Sequence, residues 1–88
     1  MKAKEDFILR QIAEEYLLIP VGEAALRMNG LLGLSESGYL LFQRLQSDCT
    51  REDLVQVLLG EYDVSPETAA LDVDAFLNTM RRLDMLEE

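Results

Sequence analysis

The chain has 88 residues, a formal net charge of −9 and 49% hydrophobic residues, with no histidine, no tryptophan and a single cysteine. This apolar content is typical of globular proteins, and no apolar run approaches the ~18 residues of a membrane span. The cysteine and histidine counts exclude an internal disulfide, histidine acid–base catalysis and the usual zinc ligand sets. We therefore expect one soluble cytoplasmic domain over residues 1–88 that is not an enzyme and has no catalytic residue, metal or cofactor.

Negative charge is concentrated in the second half of the chain. Residues 1–44 carry five basic and six acidic side chains, whereas residues 45–88 carry three basic and eleven acidic ones. A surface this acidic repels phosphate backbones and anionic lipids. We therefore expect neither nucleic acid nor a membrane among the partners.

The N-terminal segment, residues 7–21, fits two interpretations. Six of its residues recur at helical spacing: Ile8, Leu9, Ile12, Ala13, Tyr16 and Leu17. Alternatively, the runs 7–13 and 16–21 are two strands on either side of Glu14-Glu15, although two glutamates are a poor sequence for a tight hairpin turn. Periodicity alone slightly favours the helix.

Residues 30–34, Gly-Leu-Leu-Gly-Leu, are too rich in glycine for a helix interior and instead predict a short strand. Ser35 follows as a candidate N-cap, and Glu36 suits the first turn of a helix near residues 36–46. The segment is therefore interpreted as a strand-to-helix junction.

The second predicted helix begins after Thr50 and runs near residues 51–60. Asp53 stands at the reciprocal position of a capping box with Thr50. Cys49, just before the cap, is interpreted as a small buried apolar residue.

The last predicted helix runs near residues 66–83, with Ser65 as its N-cap and Pro66 as its first residue. Its predicted apolar stripe recurs at steps of three or four: Ala69, Val73, Phe76, Met80 and Leu83. Leu77 lies just beside this stripe. We therefore expect Phe76 in the core and Leu77 on an accessible shoulder of the helix.

Three segments in this order resemble the PqqD-like family, small proteins named for pyrroloquinoline quinone biosynthesis and also called precursor-peptide recognition elements. They are FILRQIAEEYLLIPVG, GLLGLSESGYLLFQRL and the stretch from Thr50 to Leu86, so the resemblance covers about residues 7–86. The sequence departs from the family pattern at Ser35, where asparagine is usual, and at Glu14-Glu15 and Asp84, where glycines are usual.

The resemblance implies an α+β, winged-helix-like fold, in which a three-stranded antiparallel sheet is followed by a three-helix bundle. Residues 7–18 should then form strands and not a helix. It also implies a peptide chaperone, because members of the family bind the leader segment of a ribosomally synthesised precursor peptide. A partner enzyme, often a radical SAM maturase, modifies the rest of that peptide.

In the family, the leader adds as an extra strand beside the third strand and lies against the third helix. An extended peptide can pair with an exposed strand edge, and glycine lets another backbone come close. The alternative is that Gly30 and Gly33 only mark a turn and a bulge. The peptide-binding residues implied for this chain are Gly30, Leu31, Leu32, Gly33, Leu34, Asp74, Leu77, Asn78 and Arg81. The acidic second half further predicts a leader that carries some lysine or arginine.

Three other functions fit the residues to different degrees. A DNA-binding winged helix is disfavoured because residues 66–77 contain no basic side chain. An acyl carrier protein needs an attachment serine in an Asp-Ser-Leu context, which Leu34-Ser35-Glu36 lacks. An adaptor subunit that binds an enzyme directly, and no peptide, remains the alternative.

Overall fold

The computed structural model describes the whole chain, Met1 to Glu88. Its elements are β1 (Lys2–Ala3), β2 (Phe7–Ile12), β3 (Glu15–Pro20), α1 (Gly22–Arg27), β4 (Leu32–Leu34), α2 (Glu36–Arg44), α3 (Arg51–Glu61), α4 (Pro66–Arg82) and β5 (Leu86–Glu87). Strands β2, β3 and β4 form an antiparallel sheet in that spatial order, and β1 pairs with β5. The predicted α+β class with a three-stranded antiparallel sheet is confirmed. None of the helices is long and apolar enough to cross a membrane.

Strands β2 and β3 form a hairpin, so the helical interpretation of this segment is wrong. The last pair before the loop joins Ile12 to Glu15, which leaves Ala13 and Glu14 as a two-residue loop. Ala13 has a φ of 56°, a left-handed conformation of the kind that tight hairpin loops require at their first residue. The loop is therefore made without the glycine that normally supplies this conformation.

Both faces of the hairpin carry apolar side chains, which explains why its sequence also fits a helix. Leu18 is fully buried against the helices. Leu17 and Ile19, on the opposite face of β3, are half-buried. The alternation of apolar and polar residues that marks a half-exposed strand is therefore missing.

A short helix that the sequence did not predict, α1, lies in the connection between β3 and β4. Ala24 of this helix is buried, and its backbone N–H donates to Asp6 Oδ2 at 3.1 Å. Gly30 then has a φ of 84° and turns the chain into β4. The expectation of three strands followed by three helices is thus corrected to four helices, one of which precedes the last strand of the sheet.

All three predicted helix caps form. The side-chain oxygens of Ser35, Thr50 and Ser65 each accept a hydrogen bond, at 3.1 Å, from the backbone N–H three residues later. The Asp53 carboxylate also accepts from the Thr50 N–H at 2.9 Å, which completes the capping box. Helices α2, α3 and α4 therefore begin where the sequence predicts.

Seventeen buried apolar residues form one cluster, to which all four helices and every strand except β4 contribute. The buried residues of α4 are Ala69, Val73, Leu77 and Met80. Leu77 is 1% exposed, whereas Phe76 is half-buried at the margin of the cluster. The predicted positions of Phe76 and Leu77 are therefore wrong, because both residues fit the same helical spacing and only the packed structure distinguishes them.

The C-terminal strand closes the fold beside β1. Asp84 adopts a φ of 56°, so an aspartate occupies the left-handed position before the buried Met85 and Leu86. Lys4 Nζ lies 2.9 Å from Asp84 Oδ1, and this contact holds the pKa of Asp84 below its usual range. A short polar side chain tolerates this conformation better than most others do.

Candidate functional site

The third strand of the sheet, β4, has a free edge. It pairs with β3 through Leu32, Gly33 and Leu34, and no strand lies on its other side. Leu32 and Leu34 are half-buried toward the core, whereas Gly33 is exposed on the other face. A Cβ added at Gly33 would meet no atom within 4 Å, so the opposite face is open at this point.

A groove of about 420 Å³ runs between this strand and helix α4. Residues 32–34 of β4 form one wall, and the buried side chains of Leu41 and Met80 lie at its base. The opposite wall consists of four residues of α4: Asp72, Ala75, Phe76 and Thr79. Ala75 and Thr79 are small, so α4 leaves room beside the free strand edge.

The beginning of helix α2 closes one end of the groove. Ser35, Ser37 and Gly38 line this end, where the Ser35 hydroxyl caps the helix by accepting from the Gly38 N–H. A Cβ at Gly38 would stand 3.3 Å from Ser35 Oγ, a tight contact at the cap. The absence of a side chain at Gly38 therefore leaves room for the Ser35 cap at this end of the groove.

A second cavity of about 430 Å³, which we call the side cavity, adjoins the groove at Ser35, Ser37 and Asp72. Its other lining residues are Glu36, Leu58, Tyr62 and Val64. The Tyr62 hydroxyl donates to Glu36 Oε1 at 2.6 Å. This hydrogen bond to a carboxylate, with some burial, raises the pKa of Tyr62 to about 12.

The structure brings only part of the predicted site to the groove. Leu32, Gly33 and Leu34 line it, whereas Gly30 and Leu31 do not. Leu31 is 57% exposed outside the groove. Leu77, predicted to form the apolar wall of the groove, does not line it. Its side chain is instead part of the buried apolar cluster.

The predicted polar residues of α4 lie outside the groove, on the other shoulder of the helix. Arg51 of α3 donates to both carboxylate oxygens of Asp74, at 2.6 and 2.9 Å, and these bonds hold the pKa of Asp74 below its usual range. Arg81 binds Glu88 at 2.8 Å. Asn78 lies between Asp74 and Arg81 along the helix and is exposed, and none of the three lines the groove.

The sequence contains a pattern that marks the shoulder of α4 facing the groove. Residues 72, 75, 76 and 79 follow one another at steps of three, one and three along α4 and lie beside the buried stripe. They combine small residues with one large apolar residue, a composition that suits a close approach by another chain. The choice between the two shoulders depends on where β4 and α3 pack, which local spacing does not specify.

The groove consists of a strand edge and apolar surface, and few of its side chains carry reactive groups. Asp72 is the one charged side chain that lines it. No group of three or more histidine, cysteine, aspartate or glutamate side chains is placed to hold a metal ion. Cys49 is 6% exposed, outside the groove, and burial raises the pKa of its thiol.

These features define a small α+β module with a free strand edge beside an apolar helical groove. The chain belongs to the PqqD family, because residues 15–86 match the family model described as coenzyme PQQ synthesis protein D (PqqD). No curated protein sequence matches it.

Two solved structures share the fold over nearly their whole length. One is described as TbiB1 in complex with the TbiA(beta) leader peptide. It has 23% sequence identity and a TM-score of 0.78, over 99% of this chain and 95% of that one. The other is a lasso peptide synthetase B1 complexed with the leader peptide. It has 20% identity and a TM-score of 0.75, over 99% and 96% of the two chains.

Proposed function

We propose that this protein binds the leader segment of a ribosomally synthesised precursor peptide along β4 and presents the peptide to a separate modifying enzyme. The observation that carries the proposal is the free edge of β4, which lies directly beside an apolar groove. Membership of the PqqD family and the leader complexes of the two similar structures support it.

The geometry suits strand addition. A peptide beside β4 would form main-chain hydrogen bonds with its edge, and every second side chain would point toward the groove. Because alternate residues of a strand are ~7 Å apart, two or three peptide side chains fit along this short groove. Contacts with Phe76 and the base of the groove would bury apolar surface, while the backbone bonds fix the direction and register of the peptide.

In this proposal the protein itself catalyses nothing and acts in the cytoplasm, where precursor peptides are made. The groove has one carboxylate and no partner base, and the thiol of Cys49 lies elsewhere. The modifying enzyme, a radical SAM maturase or another class, would act on the part of the precursor outside the groove.

Two variants on opposite shoulders of α4 test the site. Ala75 is exposed in the groove, and Asn78 is exposed outside it. A phenylalanine at position 75 would fill the groove, so Ala75→Phe should weaken leader binding about tenfold or more, equivalent to ~1.4 kcal/mol. The matched control Asn78→Phe should leave binding unchanged.

The measurement is a titration of isotope-labelled protein with synthetic leaders of precursor peptides encoded beside its gene. Amide shifts should concentrate in residues 32–38 and 72–80. The site would be wrong if Asn78→Phe weakened binding as much as Ala75→Phe. The adaptor function would replace the proposal if no leader bound and only an intact enzyme gave a saturable interaction.

A further inference from the structure

We propose that the side cavity is a subsite for one basic side chain, lysine or arginine, of the bound leader. This inference rests on the proposed function and adds a specificity element to it. The side cavity combines an apolar wall, formed by Leu58, Tyr62 and Val64, with two carboxylates, those of Glu36 and Asp72. It contains no basic residue.

The side cavity lies within reach of a peptide in the groove. The groove and the side cavity share three lining residues, Ser35, Ser37 and Asp72. The two spaces therefore meet at the beginning of helix α2. A peptide that pairs with β4 would leave the strand at this end, beside Ser35. One long side chain is then enough to extend from the groove into the side cavity.

The two carboxylates differ in their partners, and both remain available to a cation. Glu36 is held in place through one oxygen by the Tyr62 hydroxyl, and its other oxygen accepts no hydrogen bond from the protein. Asp72 takes part in none of the chain's ion pairs, whereas Asp74, two residues later, is fully paired with Arg51. The negative charge at the side cavity is therefore not neutralised from within the protein.

Lysine and arginine match both parts of this surface. Their aliphatic stems cover apolar side chains while the charged ends remain at the rim. The stem would pack on Leu58 and Val64, and the charged end would lie between Glu36 and Asp72. The ring of Tyr62 adds a face that attracts a cation.

Other side chains fit less well. An acidic residue could be attracted by the positive end of helix α2, but it would stand beside two carboxylates. A wholly apolar side chain would cover Asp72 without giving it a hydrogen bond, which is costly. The chemistry of the cavity therefore favours a basic residue over both.

The test begins with a displayed library of random 12-residue peptides selected on the full chain. Peptides that lose binding to Ala75→Phe are kept as groove ligands. Among them, one lysine or arginine should recur at a fixed distance from the apolar residues. Replacement of this residue by norleucine, which keeps the stem and removes the charge, should weaken binding about tenfold.

The charge partner is then identified by pairing each peptide with a protein variant. On Asp72→Asn, the norleucine replacement should weaken binding clearly less than tenfold, because one of the two carboxylates that face the basic side chain is gone. On Glu67→Gln, an exposed position outside both cavities that gives the same change in net charge, the tenfold effect should persist.

Each other outcome overturns the inference in a recognisable way. Groove ligands without a fixed basic residue, or with a fixed acidic one, would refute the basic subsite and leave the proposed function intact. If the norleucine replacement weakened binding equally on Asp72→Asn and on the unchanged protein, the basic residue would bind outside the side cavity. If no selected peptide depends on Ala75, the proposed function fails and the subsite fails with it.

Discussion

Replacing Leu77 with alanine should destabilise the protein much more than replacing Phe76, although phenylalanine is the larger residue. Leu77 is 1% exposed within the apolar cluster, whereas Phe76 is half-buried and lines the groove. The two residues are adjacent in the interior of α4, so their positions along the helix are closely matched. The comparison therefore isolates the direction in which each side chain points.

The magnitudes follow from burial. Leu77→Ala removes three carbon atoms from the core, a transfer loss of ~2.4 kcal/mol at ~0.8 kcal/mol per buried methylene, and the remaining cavity brings the cost to about 2–5 kcal/mol. Phe76→Ala loses only part of the ~1.5–3 kcal/mol of a fully buried side chain, so about 1 kcal/mol is expected. Against a typical total stability of 5–15 kcal/mol for a domain, the first change is severe and the second is mild.

Urea unfolding followed by circular dichroism at equilibrium measures both values. Leu77→Ala should lower the midpoint by about 1 M or more with an unchanged slope, and Phe76→Ala should lower it much less. Leader affinity should show the opposite order, with the larger loss for Phe76→Ala. If Phe76→Ala were the more destabilising change, the assignment of these residues to core and groove would be wrong.

Two further predictions concern the hairpin and the side cavity. Ala13→Gly should raise stability by about 1 kcal/mol, because glycine adopts the positive φ of this position without strain, whereas Ala25→Gly in α1 should lower it by a similar amount; thermal unfolding of both variants checks this. Tyr62 should ionise near pH 12, because its hydroxyl donates a hydrogen bond to the Glu36 carboxylate, and the difference between ultraviolet titrations of the protein and of Tyr62→Phe checks this. Since the folded-state pKa is raised, the stability that this bond contributes is fully present below pH ~10 and is lost as the pH rises toward the folded value. A Tyr62 contribution, taken as the difference between the two titrations, that ionises at pH ~10 would contradict the assigned hydrogen bond.

The helix starts could be predicted from the sequence because a cap is a local event. Ser35, Thr50 and Ser65 each bond to a backbone group three residues away, so the sequence contains both partners of the interaction. A strand over residues 30–34 could be predicted for a similar reason, since this segment is too rich in glycine for a helix interior, and the structure forms the strand over Leu32–Leu34. These predictions needed no knowledge of how the elements pack.

The hairpin and the groove wall could not be derived from spacing, because they depend on tertiary contacts. The β2 and β3 residues bury both faces to some degree, so strand and helix patterns coincide, and family resemblance was needed to choose the strands. On α4, Phe76 and Leu77 both continue an apolar stripe, and only the positions of β4 and α3 decide which one is buried. Helix α1 has only six residues and no side-chain N-cap, so the sequence contains no capping residue that would predict where it begins.

The two shoulders of α4 show how one helix could both stabilise the fold and bind a peptide in the proposed function. On the α3 side, Arg51 donates two hydrogen bonds to Asp74, so this carboxylate is already paired within the protein. On the β4 side, Ala75 and Thr79 are too small to reach the strand, and Asp72 has no partner in the protein. Because the buried stripe separates these shoulders, substitutions at Ala75 should alter peptide affinity while the core residues keep their packing. A free strand edge of only three residues, in a chain with a net charge of −9, also limits pairing between copies of the protein, so the edge can stay available for a peptide.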